Sequence, residues 1–358
     1  MLKSAFPLLL AFLLASAAAA AQSPAKRSAP ATPPAPPPGY VPIANVSPMG
    51  ALTAPTVYVP KGWAGRSTID IKPGGGCAGV TECATGEGAN RFLCAYAKMA
   101  FDDPIVYPGK PGASHLHQFF GNTAVNAFTT ADSIAAVGNS TCSGGIANRT
   151  GYWTPAMIDA AGQIVPPTTA TIYYKSGYQM LPSLVRPLPT GLKMIAGDRT
   201  WSDVKQNQSR VWWTCTDRGP TYSSIVPDCG DRVLLVVVFP QCWDGKNLDS
   251  RDHKSHMSYP NYSNDANGSK CPSTHPVVVP EITEEFFWKV PPGERSSTWR
   301  ISSDMDLSKP GGLSAHADWM MGWDPNVMKT VVTLCLDKSK DCQVNGVGNN
   351  TYLNPPPD

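Results

Sequence analysis

Charge is scarce in this chain: Lys, Arg, Asp and Glu supply 16% of its 358 residues, and the formal net charge is +2. There is no basic stripe and no Lys/Arg run, so the electrostatic footprint of a nucleic-acid-binding protein is missing. Long apolar runs are absent beyond the first 21 residues, and no later segment is long enough to span a bilayer as a helix. Cys-x-x-Cys does not occur, which argues against a thiolate zinc site. A Gly-x-Ser-x-Gly elbow, a His-Glu-x-x-His helix and a phosphate-binding glycine loop are also lacking. Helical periodicity is rare. Histidine is sparse too, with six in all.

What is present points first to export. Lys3 precedes an apolar stretch over residues 5–17, and small residues at 17–21 offer a cleavage site at or just before Gln22, as in a secretory signal peptide. The chain carries 10 Cys, all after residue 76. An even number in an exported chain reads as a disulfide set. Nearest-neighbour pairing predicts Cys77–Cys83, Cys94–Cys142, Cys215–Cys229, Cys242–Cys271 and Cys335–Cys342. The expected location is secreted, extracellular or periplasmic.

Residues 22–39 form a Pro/Ala-rich linker that favours polyproline II and cannot offset its ordering entropy. A loop-rich segment at 40–93, a β-domain at 94–345 and a C-terminal tail at 346–358, frayed over 354–358, complete the expected organisation. With 36 Pro and 31 Gly, the apolar runs are short and punctuated. Stretches at 170–175, 210–215, 232–239, 285–290 and 298–302 are rich in β-branched and aromatic residues and read as strands. The unbroken apolar run 234–239 predicts a strand buried on both faces. One helix should start at Asp324-Pro325, an N-cap followed by a proline suited to the first turn. A shorter one is expected at 130–137, ended by Gly138. The fold class is therefore mainly β: a single β-sandwich or jelly-roll-like domain with one or two short helices and several disulfides.

The six histidines fall in three polar blocks. Residues 111–122 (Pro-Gly-Ala-Ser-His-Leu-His-Gln-Phe-Phe-Gly-Asn) hold His115 and His117, which share one face if the stretch is extended. A same-face imidazole pair suits Zn or Cu. Residues 242–256 gather Asp244, Asp249, Asp252, His253 and His256, and a Cys242–Cys271 bridge would fold His275 back toward His256. Residues 314–324 place His316 two residues from Asp318, a spacing at which a carboxylate can fix an imidazole tautomer.

With these blocks, the sequence resembles an uncharacterised family of secreted fungal and bacterial proteins, the domain of unknown function number nineteen ninety-six. The resemblance rests on residues 103–122, 239–249, 253–256 (His-Lys-Ser-His), 271–276 (Cys-Pro-Ser-Thr-His-Pro) and 316–319 (His-Ala-Asp-Trp). It implies export, a domain of about 95–345 and shared His/Asp/Trp motifs, but no reaction. Arg251 departs from the small residue expected there.

Together these features predict a His/Asp pocket that acts on or binds an extracellular polysaccharide, as a hydrolase or lyase if it is an enzyme. Its centre would be His115, His117, His256 and His316 with Asp244 and Asp318. Asn122 and Lys246 would hydrogen-bond substrate, while Trp243, Trp319 and Trp323 would stack on sugar rings. A divalent metal, Zn or Cu, would sit on His115, His117, His256 and His275. For glycoside hydrolysis the carboxylates to pair would be Asp244 or Asp249 with Asp318. The alternatives are a non-catalytic metal- or glycan-binding envelope protein, or a purely structural domain whose His and Asp side chains staple its loops.

Overall fold

The computed structural model describes residues 35–46, 50–74, 88–177, 180–198, 200, 208–219, 221–263 and 268–357. The expected signal peptide, most of the linker and the Cys77–Cys83 pair lie outside them. The architecture grows from one strand, Ala89–Ala100, which pairs antiparallel with two different neighbours on the same molecule. Ala89 to Ala95 run beside Pro167–Lys175, and Tyr96 to Ala100 run beside His117–Gly121. Between Tyr96 and Lys98 the register slips by one residue. Such a bulge changes which side chains face inward. Phe92, Cys94 and Tyr96 are buried before it, and Met99 after it.

Through this strand ten strands join in one mostly antiparallel sheet. Beyond Pro167–Lys175 come Glu281–Lys289, Arg232–Val238 and Val211–Cys215 at one end. Beyond His117–Gly121 come Gly151–Pro155, His316–Met320 and Lys193–Gly197 at the other. Asp341–Val344 adds parallel to Ala89–Ala100. The sheet curls until Lys193–Gly197 comes back alongside Arg232–Val238, so the molecule is mainly β with a nearly closed sheet. Inside the curl, Phe120 packs on Phe286 with ring centroids 5.4 Å apart.

The strand Arg232–Val238 is covered on both faces as its apolar run predicts, with Val233, Leu235, Val236, Val237 and Val238 all buried. The four strands at the His117 end are covered twice as well. Their outer face carries a second cluster of Ile105, Phe119, Val125, Ile134, Trp153, Ile195 and Met320.

The one α-helix among the described residues, Pro325–Val331, starts as expected, with the Asp324 carboxylate accepting from the N–H groups of Asn326 and Val327. Residues 130–137 form isolated turns instead of a second helix. Ile134 N–H donates to Thr130 O and Val137 N–H to Ser133 O, and nothing propagates between them. Of the 298–302 stretch only Arg300–Ile301 is strand, because Thr298 ends a 3-10 turn, Ser296–Thr298.

Four disulfides pair as nearest neighbours: Cys94–Cys142, Cys215–Cys229, Cys242–Cys271 and Cys335–Cys342. The C-terminal segment is tied to the domain as far as Pro355. Thr351–Leu353 pairs with Ile71–Pro73, and Arg66 donates to the carbonyls of Asn354 and Pro355. No helix among the described residues is long and apolar enough to cross a membrane.

Glu285, in the strand Glu281–Lys289, makes stability depend on pH. Burial pushes the half-buried Glu285 carboxyl up to about 7, against the opposing pull of Lys175 and Arg91. In the unfolded chain this group ionises near its ordinary value, so stability is lost as pH rises through the interval between the two and stays lost above it. Discounted for partial exposure, the loss is roughly 1–2 kcal/mol. Glu285→Gln should therefore raise the Tm at pH 8 and leave it nearly unchanged at pH 4, as measured by differential scanning calorimetry.

A candidate metal centre

Three of the six histidines meet on the outer face of the sheet. His117 opens the strand His117–Gly121, and His115 lies two residues earlier in the loop that leads into it, with its ring beside that of His117. Their centroids are 4.2 Å apart. His316 opens the strand His316–Met320, and its ring lies 5.2 Å from His115 and 5.9 Å from His117. One ring nitrogen from each of the three falls within 4.8 Å of the others.

Backbone carbonyls orient two of these rings. His117 Nδ1 donates to Asp102 O at 3.0 Å, and His316 Nδ1 donates to Ser314 O at 2.8 Å. Donation at Nδ1 places the neutral ring's lone pair on Nε2. Both Nε2 atoms then face one carboxylate: Asp318 Oδ2 is 3.7 Å from that of His316 and 4.0 Å from that of His117. These separations exceed hydrogen bonds. They approach the roughly 3.3 Å edge of a tetrahedron built on metal–ligand bonds of about 2.0 Å. A ligating histidine whose other nitrogen is held by a carbonyl is the usual outer-shell arrangement of a metal site.

The loop beneath is built to present its carbonyl. Asp103 Oδ1 accepts from the N–H groups of Ile105 and Val106, and Asp102 Oδ1 accepts from Gly112 N–H. Burial lowers the pKa of His117, opposed by the charges of Asp103 and Asp102 and the bond to the Asp102 carbonyl. Its lone pair is thereby available at neutral pH. His117, His316 and Asp318 are buried, while His115 is only half-buried and forms the mouth of the cluster.

A family model described as Domain of unknown function (DUF1996) matches residues 103–323. The chain belongs to this family. The matched span holds all three histidines, Asp318 and the Ser314 carbonyl, and begins one residue after Asp102. No curated protein and no solved structure matches the chain.

The remaining predicted site residues have other duties. His256 and His275 do not join the cluster, so the quartet His115, His117, His256, His275 is not assembled. His256 Nε2 donates to Lys193 O at 2.7 Å, and its Nδ1 bonds Ser250 Oγ at 2.9 Å. His275 does fold back beside it, through a bond to Ser255 O, but its other nitrogen bonds Thr274 Oγ1. Asp244 is spent on its own turn, accepting from the N–H groups of Lys246 and Asn247 and from the Asn247 amide. Asp249 pairs with Lys193 and His253. Lys246 is exposed on the same turn, and Trp243 Nε1 donates to Asn247 O.

Asn122 is a buried loop anchor, donating to the carbonyls of Ile134 and Val137 and accepting from Ala124 N–H. The tautomer of His316 is fixed by the Ser314 carbonyl, leaving Asp318 on the side of the lone pairs. The other grouping with metal-ligand spacing, Cys215, Asp217 and Cys229, contains a disulfide and offers no thiolate.

Three groups near the cluster are not marked in the sequence. The Asp102 and Ser314 carbonyls carry no side-chain signal. Glu284 sits between Thr283 and Glu285 in the strand Glu281–Lys289, with nothing in the sequence to mark it. It is wholly buried, and burial followed by the charge of Asp318 holds its carboxyl well above the usual range.

Trp319 and Trp323 are wholly buried and cannot stack on a sugar. Their Nε1 groups both donate to Tyr174 Oη, at 3.3 and 2.9 Å, and Tyr152 Oη shares that oxygen at 2.8 Å. Tyr174→Phe strands these groups and should cost about 2–4 kcal/mol in urea denaturation. The same variant should leave the affinity of the histidine cluster for metal unchanged.

Proposed function

We propose that this chain is exported and holds one divalent transition metal, Zn or Cu, through which it acts on or binds an extracellular polysaccharide. His115, His117 and His316 are the nitrogen ligands and Asp318 the oxygen ligand. The observation that carries the reading is the pair of Nδ1–H donations to backbone carbonyls, which turn two Nε2 lone pairs toward a common carboxylate beside a third imidazole. Mixed imidazole and carboxylate donors suit Zn or Cu better than Ca or Mg. The acidic surroundings supplied by Asp102, Asp103 and Asp318 favour a cation over three neutral rings.

A metal so placed would supply Lewis acidity toward sugar oxygens. The protein's part is to hold the rings in one tautomer, to bury all but His115, and to admit ligand past that ring. Export is supported by the four disulfides and by the leader-like N-terminus.

Metal-free protein titrated with Zn(II) or Cu(II) in a calorimeter should bind one equivalent per chain. His115→Gln and His316→Gln should each abolish that binding while circular dichroism stays native. His256→Gln and His275→Gln should retain it. Wild-type protein that binds neither ion, or His115→Gln and His316→Gln proteins that bind as wild type does, would refute the assignment.

A further inference from the structure

The edge strand Lys193–Gly197 borders two sites at once. On one side it pairs with the strand His316–Met320, with Gly197 opposite His316 and Ile195 opposite Asp318. Its other side faces a cavity of about 660 Å³ where the curled sheet fails to close. That volume lies within the roughly 300–1,000 Å³ common for small-ligand sites. The cavity is therefore one strand spacing, about 4.8 Å, from the strand that carries two of the proposed metal ligands.

Its lining is amphipathic and cationic. Met194 and Met257 give an apolar surface, and Arg210, Lys254 and His253 bring positive or protonatable groups. Arg210 lies over the rings of Tyr259 and Tyr262, at 4.2 and 4.6 Å, and donates to Tyr262 Oη. Lys254 Nζ donates to Gly197 O. Among the described residues neither cation is paired with a carboxylate. His253 is held by Asp249 and has its backbone in the left-handed region, φ 58°. Strain of this kind in a non-glycine residue clusters at ligand sites. Asp198 is the acidic residue of the lining, and its Oδ1 already accepts the N–H and O–H of Thr200.

The strand itself adds polar partners. Lys193 N–H donates to Leu248 O, and Gly197 O accepts from Lys254, so both residues direct their backbone groups away from the His316 strand. By the alternation of an antiparallel ladder, the N–H and C=O of Ile195 point the same way, toward the cavity. We propose that this cavity is a subsite for an acidic sugar. A uronate carboxylate would meet Lys254 and Arg210, its ring would lie on the methionines, and its hydroxyls would bond the Ile195 backbone.

This inference rests on the reading of the domain as a glycan-handling protein and deepens it. Its test is calorimetric binding of oligogalacturonate and of a neutral xylo-oligosaccharide of equal length to the full chain, metal-free and metal-loaded. The galacturonate should bind and the neutral oligomer should not. Lys254→Gln and Arg210→Gln should each weaken binding by about tenfold or more, the cost of one charge-assisted contact. Lys254 is exposed, so its variant keeps the test decisive if Arg210→Gln misfolds. Equal binding of the two oligomers, acidic binding unchanged in Lys254→Gln, or no binding of the galacturonate would overturn the proposal. Galacturonate bound equally well with and without metal would uphold the subsite even if the metal titration fails.

Discussion

Pairing along the strand Ala89–Ala100 is the constraint on which the rest of the molecule depends. Its first half anchors the strands from Pro167–Lys175 outward, and its second half anchors those from His117–Gly121 outward. The one-residue slip after Tyr96 lets a single strand serve both halves without turning apolar side chains to water. The Cys94–Cys142 disulfide fastens the strand just before that slip. If this strand lost its register, His117 would exchange faces with Gln118 and the imidazoles would part.

The candidate centre follows from that scaffold by small steps. Two strands, His117–Gly121 and His316–Met320, flank Gly151–Pro155 and present alternate residues to the outer face. His117, His316 and Asp318 are thus placed by strand periodicity, and only His115 depends on a loop. Backbone carbonyls do the rest, because an imidazole that donates from Nδ1 must offer Nε2. Gly197 shows how closely this region is packed: a Cβ there would lie 2.5 Å from Ala315 O and 2.8 Å from His316 Cα. Its φ of 90° suits glycine as well.

Much of this was legible in the sequence. The strand at 232–239 and the helix at Asp324-Pro325 were marked by local chemistry, an unbroken apolar run and a capping pair. His115 and His117 were placed on one face by their spacing alone. Which distant block would meet them was not legible. His316 and His256 carry similar motif contexts, and only sheet order separates them. Trp319 and Trp323 misled because a tryptophan beside histidines looks the same in sequence whether its indole caps a buried tyrosine or faces water. Asn122 and Asp244 misled for a related reason: their side chains are consumed by nearby backbone groups, which sequence motifs do not display. The 130–137 turns miss being a helix because their hydrogen bonds stay local, with Thr130 and Ser133 side chains also bonding nearby N–H groups.

The central claim is that three imidazoles and one carboxylate form a single metal-binding point on the outer face of the sheet. Anomalous diffraction from crystals of zinc-loaded protein, collected above and below the zinc edge, addresses it most directly. The account predicts one strong peak bounded by His115, His117, His316 and Asp318, at bonding distance from all four. A peak at His256 and His275, or none at the predicted point in a crystal that holds zinc elsewhere, would contradict it.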